Sequence, residues 1–295
     1  MKADFPKSLG SRYKAIELLG SGGMGRVWKA FDNESKATVA IKIIRQEIAE
    51  DDSLRSRLER EAKLAKSKVH PALVQLLSAN LEAEPPYLVF EQIDGEVLSR
   101  LLHRKGALSK RQSLRIATEL AHCLASLHER DVVHRDLKPD NIIIDKEGRV
   151  RVLDLGIAWG ENFEKVTKTG VILGTPLYMA PEVALGEKAC SQTDVYALGL
   201  ILLECMQPKA ELFNARGKSS LDLLMRRAKG QESYQRPQKV DDTLWSIILK
   251  LLTRDPNERP GSGADALKLL KDYEGSSKTR ESKAASKSPR KQKAH

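Results

Sequence analysis

His134-Arg135-Asp136-Leu137-Lys138-Pro139-Asp140-Asn141 decides the reading of this chain, and Asp154-Leu155-Gly156 begins thirteen residues after Asn141. A lone aspartate marks little more than a turn. Here the polar residues stand in a chemically ordered series. Asp136 can take a proton from an attacking hydroxyl. Lys138, two residues on, can steady negative charge on a transferring phosphoryl group. Asn141 offers an amide oxygen to a metal, and Asp154, at a strand end, offers a carboxylate suited to Mg2+ that bridges phosphates.

Upstream, Gly20-Ser21-Gly22-Gly23-Met24-Gly25-Arg26-Val27 carries glycines in a G-x-G-x-x-G pattern. Without side chains the backbone can approach phosphate oxygens and present its amide hydrogens. The pattern alone also fits a flexible hairpin turn. A dinucleotide fold would place a helix directly after it, whereas Arg26 to Phe31 reads as a strand, which favours a glycine hairpin folded over a nucleotide. No G-x-x-x-x-G-K-[ST] occurs, which excludes a P-loop NTPase. Val39-Ala40-Ile41-Lys42 sets a lysine at the end of an apolar strand. That lysine reads either as a snorkelling surface residue or as a phosphate-binding group facing a cleft. Glu61, nineteen residues later on a predicted helix, can pair with it; Glu59 competes but lies about 200° round that helix.

Working outward, the first 90 residues read as strands with one helix over Asp51–Lys68, whose apolar positions Leu54, Leu58, Ala62 and Ala65 follow helical steps. His70-Pro71 ends it. Strands are predicted at Tyr13–Leu19, Val27–Phe31, Thr38–Ile44, Leu73–Leu77 and Tyr87–Phe90. After Gly95 the pattern turns helical: Ser109–Arg130 with Ser109 as N-cap, then Asp194–Met206, Ser219–Lys229, Asp241–Leu252 and Ala264–Tyr273. Short strands at Asn141–Ile144 and Val150–Leu153 flank a Lys146-Glu147-Gly148 turn. Residues 156–181 lack periodicity and read as a long functional loop. The fold class is therefore α+β and bilobal, a small β-rich N-lobe and a larger, mainly helical C-lobe, with the ligand site in the cleft between them. The domains run 1–12 (N-terminal extension), 13–273 (N-lobe 13–92, C-lobe 96–273) and 274–295 (basic, disordered tail).

Composition agrees. The 295 residues are 41% hydrophobic and 31% charged, ordinary for a globular chain that needs no disulfide or metal staple. Cys123, Cys190 and Cys205 have no metal-knuckle or redox spacing. The longest strongly apolar stretch is nine residues, Val195–Leu203, far short of the roughly 20 of a membrane span, and no signal core follows Met1-Lys2, so a cytoplasmic location is expected. The net charge is +10, but residues 276–295 hold seven basic residues against Glu281, a net +6 that leaves +4 for the rest. The tail reads as a solvated linker or end, as a juxtamembrane-type segment or a truncated connection to one, drawn weakly to anionic membrane, or as a nonspecific nucleic-acid contact. Having no aromatic residue for base stacking weakens the last, and no specific nucleic-acid partner is expected.

Taken together these motifs resemble the eukaryotic-like serine/threonine protein kinases of bacteria. The resemblance runs from Gly20 to Arg259. It includes Ala180-Pro181-Glu182, Asp194 with Gly199, and Arg259, which in the family pairs with the glutamate matched by Glu182. Lys138 and Thr175 are the residue types of Ser/Thr-specific members. The resemblance implies transfer of the ATP γ-phosphoryl group to Ser or Thr of protein substrates, with Mg2+, or Mn2+ in its place, as the ion. It implies that Leu19, Gly20, Ser21, Gly22, Gly23, Met24, Gly25, Arg26 and Val27 cover the nucleotide and that Lys42, held by Glu61, grips the phosphates. Asn141 and Asp154 would bind metal, Asp136 would act as base, and Lys138 would balance charge. Ala40 and Ile143 would sandwich adenine, with Phe90 as gatekeeper and Glu91 to Ile93 as hinge. Thr167 and Thr169 would be autophosphorylated, with Arg135 as counter-charge. Leu155 stands where the family motif usually has Phe, and Ala65 is small for its position. Similar kinases also form back-to-back small-lobe dimers, so a homodimer stays open, though no residue here marks one. Two alternatives remain: a pseudokinase-type scaffold, against which Lys42, Asp136, Asn141 and Asp154 are all intact, and a small-molecule kinase, against which Gly174-Thr175 and Ala180-Pro181-Glu182 stand.

Overall fold

In the computed structural model, the described residues are 5–23, 25–46, 55–56, 59, 69–153, 176–208, 220–238 and 240–286. The N-terminal lobe is a five-stranded antiparallel sheet of order β1-β2-β3-β5-β4, with β1 Tyr13–Gly22, β2 Gly25–Asp32, β3 Ala37–Ile44, β4 Leu76–Asn80 and β5 Tyr87–Glu91. Period-two alternation sorts its side chains. Val39 and Ile41 join Tyr13, Ala30 and Val89 on one face, while Ile44 joins Leu76 and Leu88 on the other. Lys42 and Ala40 share the parity of Ile44, and Lys42 stands opposite Val27 of β2.

The extension before Tyr13 packs on this sheet: Leu9 is buried against the Tyr13 face, Phe5 meets Trp28 edge-on at 5.6 Å, and Arg12 forks onto Asp32 at 3.0 and 3.0 Å. That fork, despite burial, holds the Asp32 carboxyl well below the usual carboxylate range. Two apolar residues are too few to give a periodic signal, yet they suffice to cover part of a sheet face. One strand expectation needs correction: the run Leu73–Leu77 is not one strand. Leu76 begins β4, whereas Leu73 bridges Val152 and the Val74 amide donates to the Val152 carbonyl at 2.9 Å. One apolar run thus serves both lobes.

The larger lobe begins with β6 Gly95–Val97, which pairs with β7 Ile142–Asp145 and through it with β8 Val150–Val152. α1 Leu98–Lys105 and α2 Lys110–His128 follow β6 in the chain. Ser109 caps α2 as expected, with Gln112 completing a reciprocal capping box. A short α3 Pro181–Ala184 precedes α4 Ser191–Met206, which is buried along nearly its whole length. α5 Ser220–Ala228, α6 Asp242–Leu251 and α7 Gly263–Ser286 complete the lobe. Gly199 lets α4 meet the end of α6, since a Cβ there would lie 2.9 Å from Leu251. Burial pushes the Cys123 thiol up to about 12, in keeping with a core thiol. Among the described residues no helix is long and apolar enough to cross a membrane.

The tail expectation is corrected as well. α7 docks through Ala266, Leu270 and Tyr273 but continues helical to Ser286, thirteen residues past the predicted boundary. The residues beyond Tyr273 have no apolar period, so no core was expected of them. Extending an existing helix nevertheless avoids the nucleation cost that an isolated segment would meet.

Candidate active site

The segment between α2 and β7 carries the predicted chemistry, and its geometry is set from below by α4. Asp194, 1% exposed, accepts the His134 amide on Oδ2 at 2.7 Å and the Arg135 amide on Oδ1 at 2.9 Å. His128 on α2 adds a third bond: its Nδ1 accepts from the Gly263 amide at 2.9 Å, which leaves Nε2–H to donate to Asp194 Oδ2 at 2.9 Å. Arg135 has φ of 69°, a left-handed conformation that costs a non-glycine residue about 1–2 kcal/mol. The two amide bonds to a buried carboxylate offset that strain. They leave the Arg135 side chain exposed and the next residue, Asp136, half-buried.

Asp136, Lys138 and Asn141 come together as the sequence predicts. Lys138 Nζ donates to Asp136 Oδ1 and Oδ2 at 2.9 and 2.7 Å. Asn141 Nδ2 donates to the Asp136 carbonyl at 2.8 Å and to its Oδ2 at 3.0 Å. With its amide hydrogens used there, Asn141 has its oxygen to offer a cation. The Pro139–Asn141 turn, with proline at its first position, sets Lys138 and Asn141 on the same carboxylate.

On the other lobe, the glycines separate into two kinds. Gly25 has φ of 152°, and a Cβ there would fall 1.9 Å from the Ile43 carbonyl oxygen, so the hairpin itself demands it. A Cβ on Gly20 or Gly22 would meet nothing within 4 Å. Among the described residues no atom requires glycine at those two positions, and a loop expected to cover phosphates needs such room for backbone approach. Gly20→Ala and Gly22→Ala are therefore expected to leave the thermal midpoint nearly unchanged while raising the ATP KM several-fold. Gly25→Ala should lower the midpoint by several degrees. Equal midpoint losses in all three would remove the distinction.

Lys42 is 7% exposed on β3, and Val27, its cross-strand partner, lines the same face. Ala40 pairs with Phe90 of β5, and Ile143 lies on β7 between Val97 and Arg151. The hinge expected at Glu91–Ile93 has a feature that the sequence did not disclose. Glu91 Oε1 accepts the Gln75 amide at 2.8 Å and also pairs with Arg151 of β8, while the Glu91 amide donates to the Gln75 carbonyl at 3.0 Å. One carboxylate thus ties the small-lobe sheet, the hinge and the large lobe. Leu19, Ser21, Gly23, Arg26 and Ile93 lie on or beside these elements. Met24, Glu61, Asp154, Leu155, Ala65, Thr167, Thr169 and Thr175 lie outside the described residues. Glu59 is described and pairs with Arg55 at 3.7 Å.

Below the cleft, Arg259 forks onto Glu182 at 2.9 and 2.7 Å, the pairing implied by the resemblance. Thr193 Oγ1 also donates to Glu182 at 2.8 Å. His128, Arg151 and Arg227 are site-organising residues that sequence reading missed. His128 occupies an apolar-face position of α2, where periodicity assigns it to packing, and no local signal marks any of the three.

A five-stranded lobe with a glycine hairpin, set over a helical lobe that presents an Asp136–Lys138–Asn141 cluster, defines the class as the bilobal kinase fold. The chain belongs to the protein kinase family: the family model described as "Protein kinase domain" matches residues 13–272. Among curated proteins it is similar to serine/threonine-protein kinase PrkC of Bacillus subtilis, 33% identical over 88% of this chain and 40% of that protein. It is also similar to PknA of Mycobacterium tuberculosis, 34% identical over 90% of this chain and 62% of that protein. PknB of Mycolicibacterium smegmatis is 32% identical over 92% of this chain and 44% of that protein. The chain thus corresponds to 40 to 62% of the length of these relatives.

Proposed function

We propose that this chain is a serine/threonine protein kinase that transfers the γ-phosphoryl group of ATP to hydroxyls of protein substrates. The observation that carries the reading is the Asp136–Lys138–Asn141 cluster on a strained turn that Asp194 holds in place. Asp136 accepts the proton as the substrate oxygen bonds to the γ-phosphorus and the bond to the β,γ-bridging oxygen breaks. Lys138, resting on both carboxylate oxygens, is placed to balance the charge that builds on the phosphoryl oxygens. Lys42, with Glu61 as its partner, orients the α- and β-phosphates, and Gly20–Val27 excludes water above them. Mg2+ would be held by Asn141 and Asp154, and when bound it supplies positive charge to the phosphates.

Autophosphorylation of Thr167 or Thr169 is the proposed switch. The exposed Arg135 guanidinium beside Asp136 is the natural counter-charge for such a phosphate. Incubation with Mg2+ and labelled ATP, followed by phosphosite mapping, is expected to place label on these threonines and phosphoserine or phosphothreonine on a generic protein substrate. Absence of any label with nucleotide binding retained would favour the scaffold reading. Full activity after replacing both threonines with Ala would remove the switch. The same reading keeps the reaction in the cytoplasm and makes the basic tail a solvated segment.

A further inference from the structure

Arg227, in the last turn of α5, is 2% exposed. Nη1 donates to the main-chain carbonyls of Leu177 at 2.8 Å and Met179 at 2.6 Å, and Nε donates to Glu232 Oε1 at 2.5 Å. The guanidinium lies 5.5 Å from the centre of the Tyr196 ring on α4. Tyr196 in turn donates its hydroxyl to Glu232 Oε2 at 2.8 Å and sits 2.6 Å from the Tyr234 hydroxyl. Arg259, forked onto Glu182, lies 4.9 Å from the same ring centre. Arg227 thus holds two carbonyls of the segment that leads to Glu182, and Arg259, beside the same tyrosine ring, holds Glu182 itself.

That segment is a single turn, Pro176–Tyr178, followed by two irregular residues before α3. No sheet ladder fixes its direction. A planar guanidinium that holds two carbonyls through Nη1 and Glu232 through Nε is fixed in both position and tilt, which a point charge is not. Burial raises the value of those bonds, because the charge has few other partners to turn to.

We infer that Arg227, held by Glu232 and Tyr196, is a positioning residue for the protein substrate. It sets the backbone ledge at Leu177–Met179 against which an extended peptide lies once its Ser or Thr reaches Asp136. This rests on the kinase reading above, since the ledge follows directly on the Gly174-Thr175 stretch and leads into Ala180-Pro181-Glu182. Arg227 stands behind the ledge and does not touch the peptide. Its loss should weaken peptide docking and leave the nucleotide site, which lies under the other lobe, unaffected.

The test uses the full chain as Arg227→Lys and Glu232→Gln, a peptide acceptor with a single Thr, and initial rates with both ATP and peptide varied. Arg227→Lys keeps the charge but loses the fork. It is expected to raise the peptide KM about tenfold, equivalent to the loss of one well-placed bond, with the ATP KM unchanged and kcat within about twofold. Glu232→Gln, which keeps an acceptor but drops its charge, should raise the peptide KM by a smaller factor in the same direction. Should Arg227→Lys fail to fold, the Glu232→Gln measurement decides alone. An unchanged peptide KM, or equal shifts in peptide and ATP KM alongside a lowered thermal midpoint, would overturn the inference and leave the kinase reading standing. A wild-type chain that binds ATP but phosphorylates no peptide would instead overturn the kinase reading, and this inference with it.

Discussion

Asp136→Asn is expected to lower the rate of phosphoryl transfer by about 10²–10⁴-fold, the range in which a positioned general base contributes. The substitution keeps the volume of the side chain and leaves Lys138 and Asn141 beside it. It removes the group that can take the hydroxyl proton. Among the described residues, the Asp136 side chain bonds only to Lys138 and Asn141 on the same turn. Nucleotide affinity and thermal midpoint should therefore stay near wild type. Single-turnover label transfer beside a nucleotide titration checks both halves. A variant within tenfold of wild-type rate would mean that the proton leaves by another route and would withdraw the role given to Asp136.

Asp194→Ala should have the largest combined effect on stability and rate. It leaves the His134 and Arg135 amides buried without their acceptor, each at about 1–3 kcal/mol, and frees His128 Nε2 as well. A loss of several degrees in thermal midpoint is expected. Arg135 should also relax from its left-handed backbone, carrying Asp136 with it. A misplacement of about 1 Å at a reacting group costs roughly 10²-fold in rate. Leu244→Ala in α6, where the side chain is fully buried, offers a control, because it should cost about 2–5 kcal/mol through a cavity alone. Assayed well below both midpoints, Leu244→Ala should retain most of its specific activity and Asp194→Ala should not. Equal retention by the two would show that Asp194 supports the fold without shaping the turn.

Much of the fold was legible because it rests on short-range patterns. The 3.6-residue spacing from Leu114 to Leu127 and the Ser109–Gln112 cap predicted α2 to within two residues. β-Branched residues announced β3, and Asp241 marked the start of α6. The errors fall where neighbours far along the chain overrule local preference. Leu73–Leu77 reads as one strand but divides between β4 and a bridge to β8. Phe5 and Leu9 carry no periodic signal, yet they pack on a sheet face built by residues of four strands. α1 and β6 share a stretch too short for periodicity to separate them.

By itself, the sequence marked the residues to which the kinase reading gives chemistry. The order of Asp136, Lys138 and Asn141 within six residues leaves only one turn on which they can meet, so their contact is a local consequence of spacing. Gly20, Gly22 and Gly25 were likewise visible as a group. Tertiary structure alone decided what holds each still. A Cβ clash with Ile43 makes Gly25 a structural residue, while among the described residues nothing lies within 4 Å of a Cβ on Gly20 or Gly22. Asp194 lies 58 residues from Asp136 in the chain yet sets its backbone, and Arg227 reaches back 50 residues to Leu177. These supporting bonds join a side chain to main-chain groups, which are the same in every residue. No side-chain identity at the receiving end marks them in a sequence, and only the folded chain brings donor and acceptor within reach.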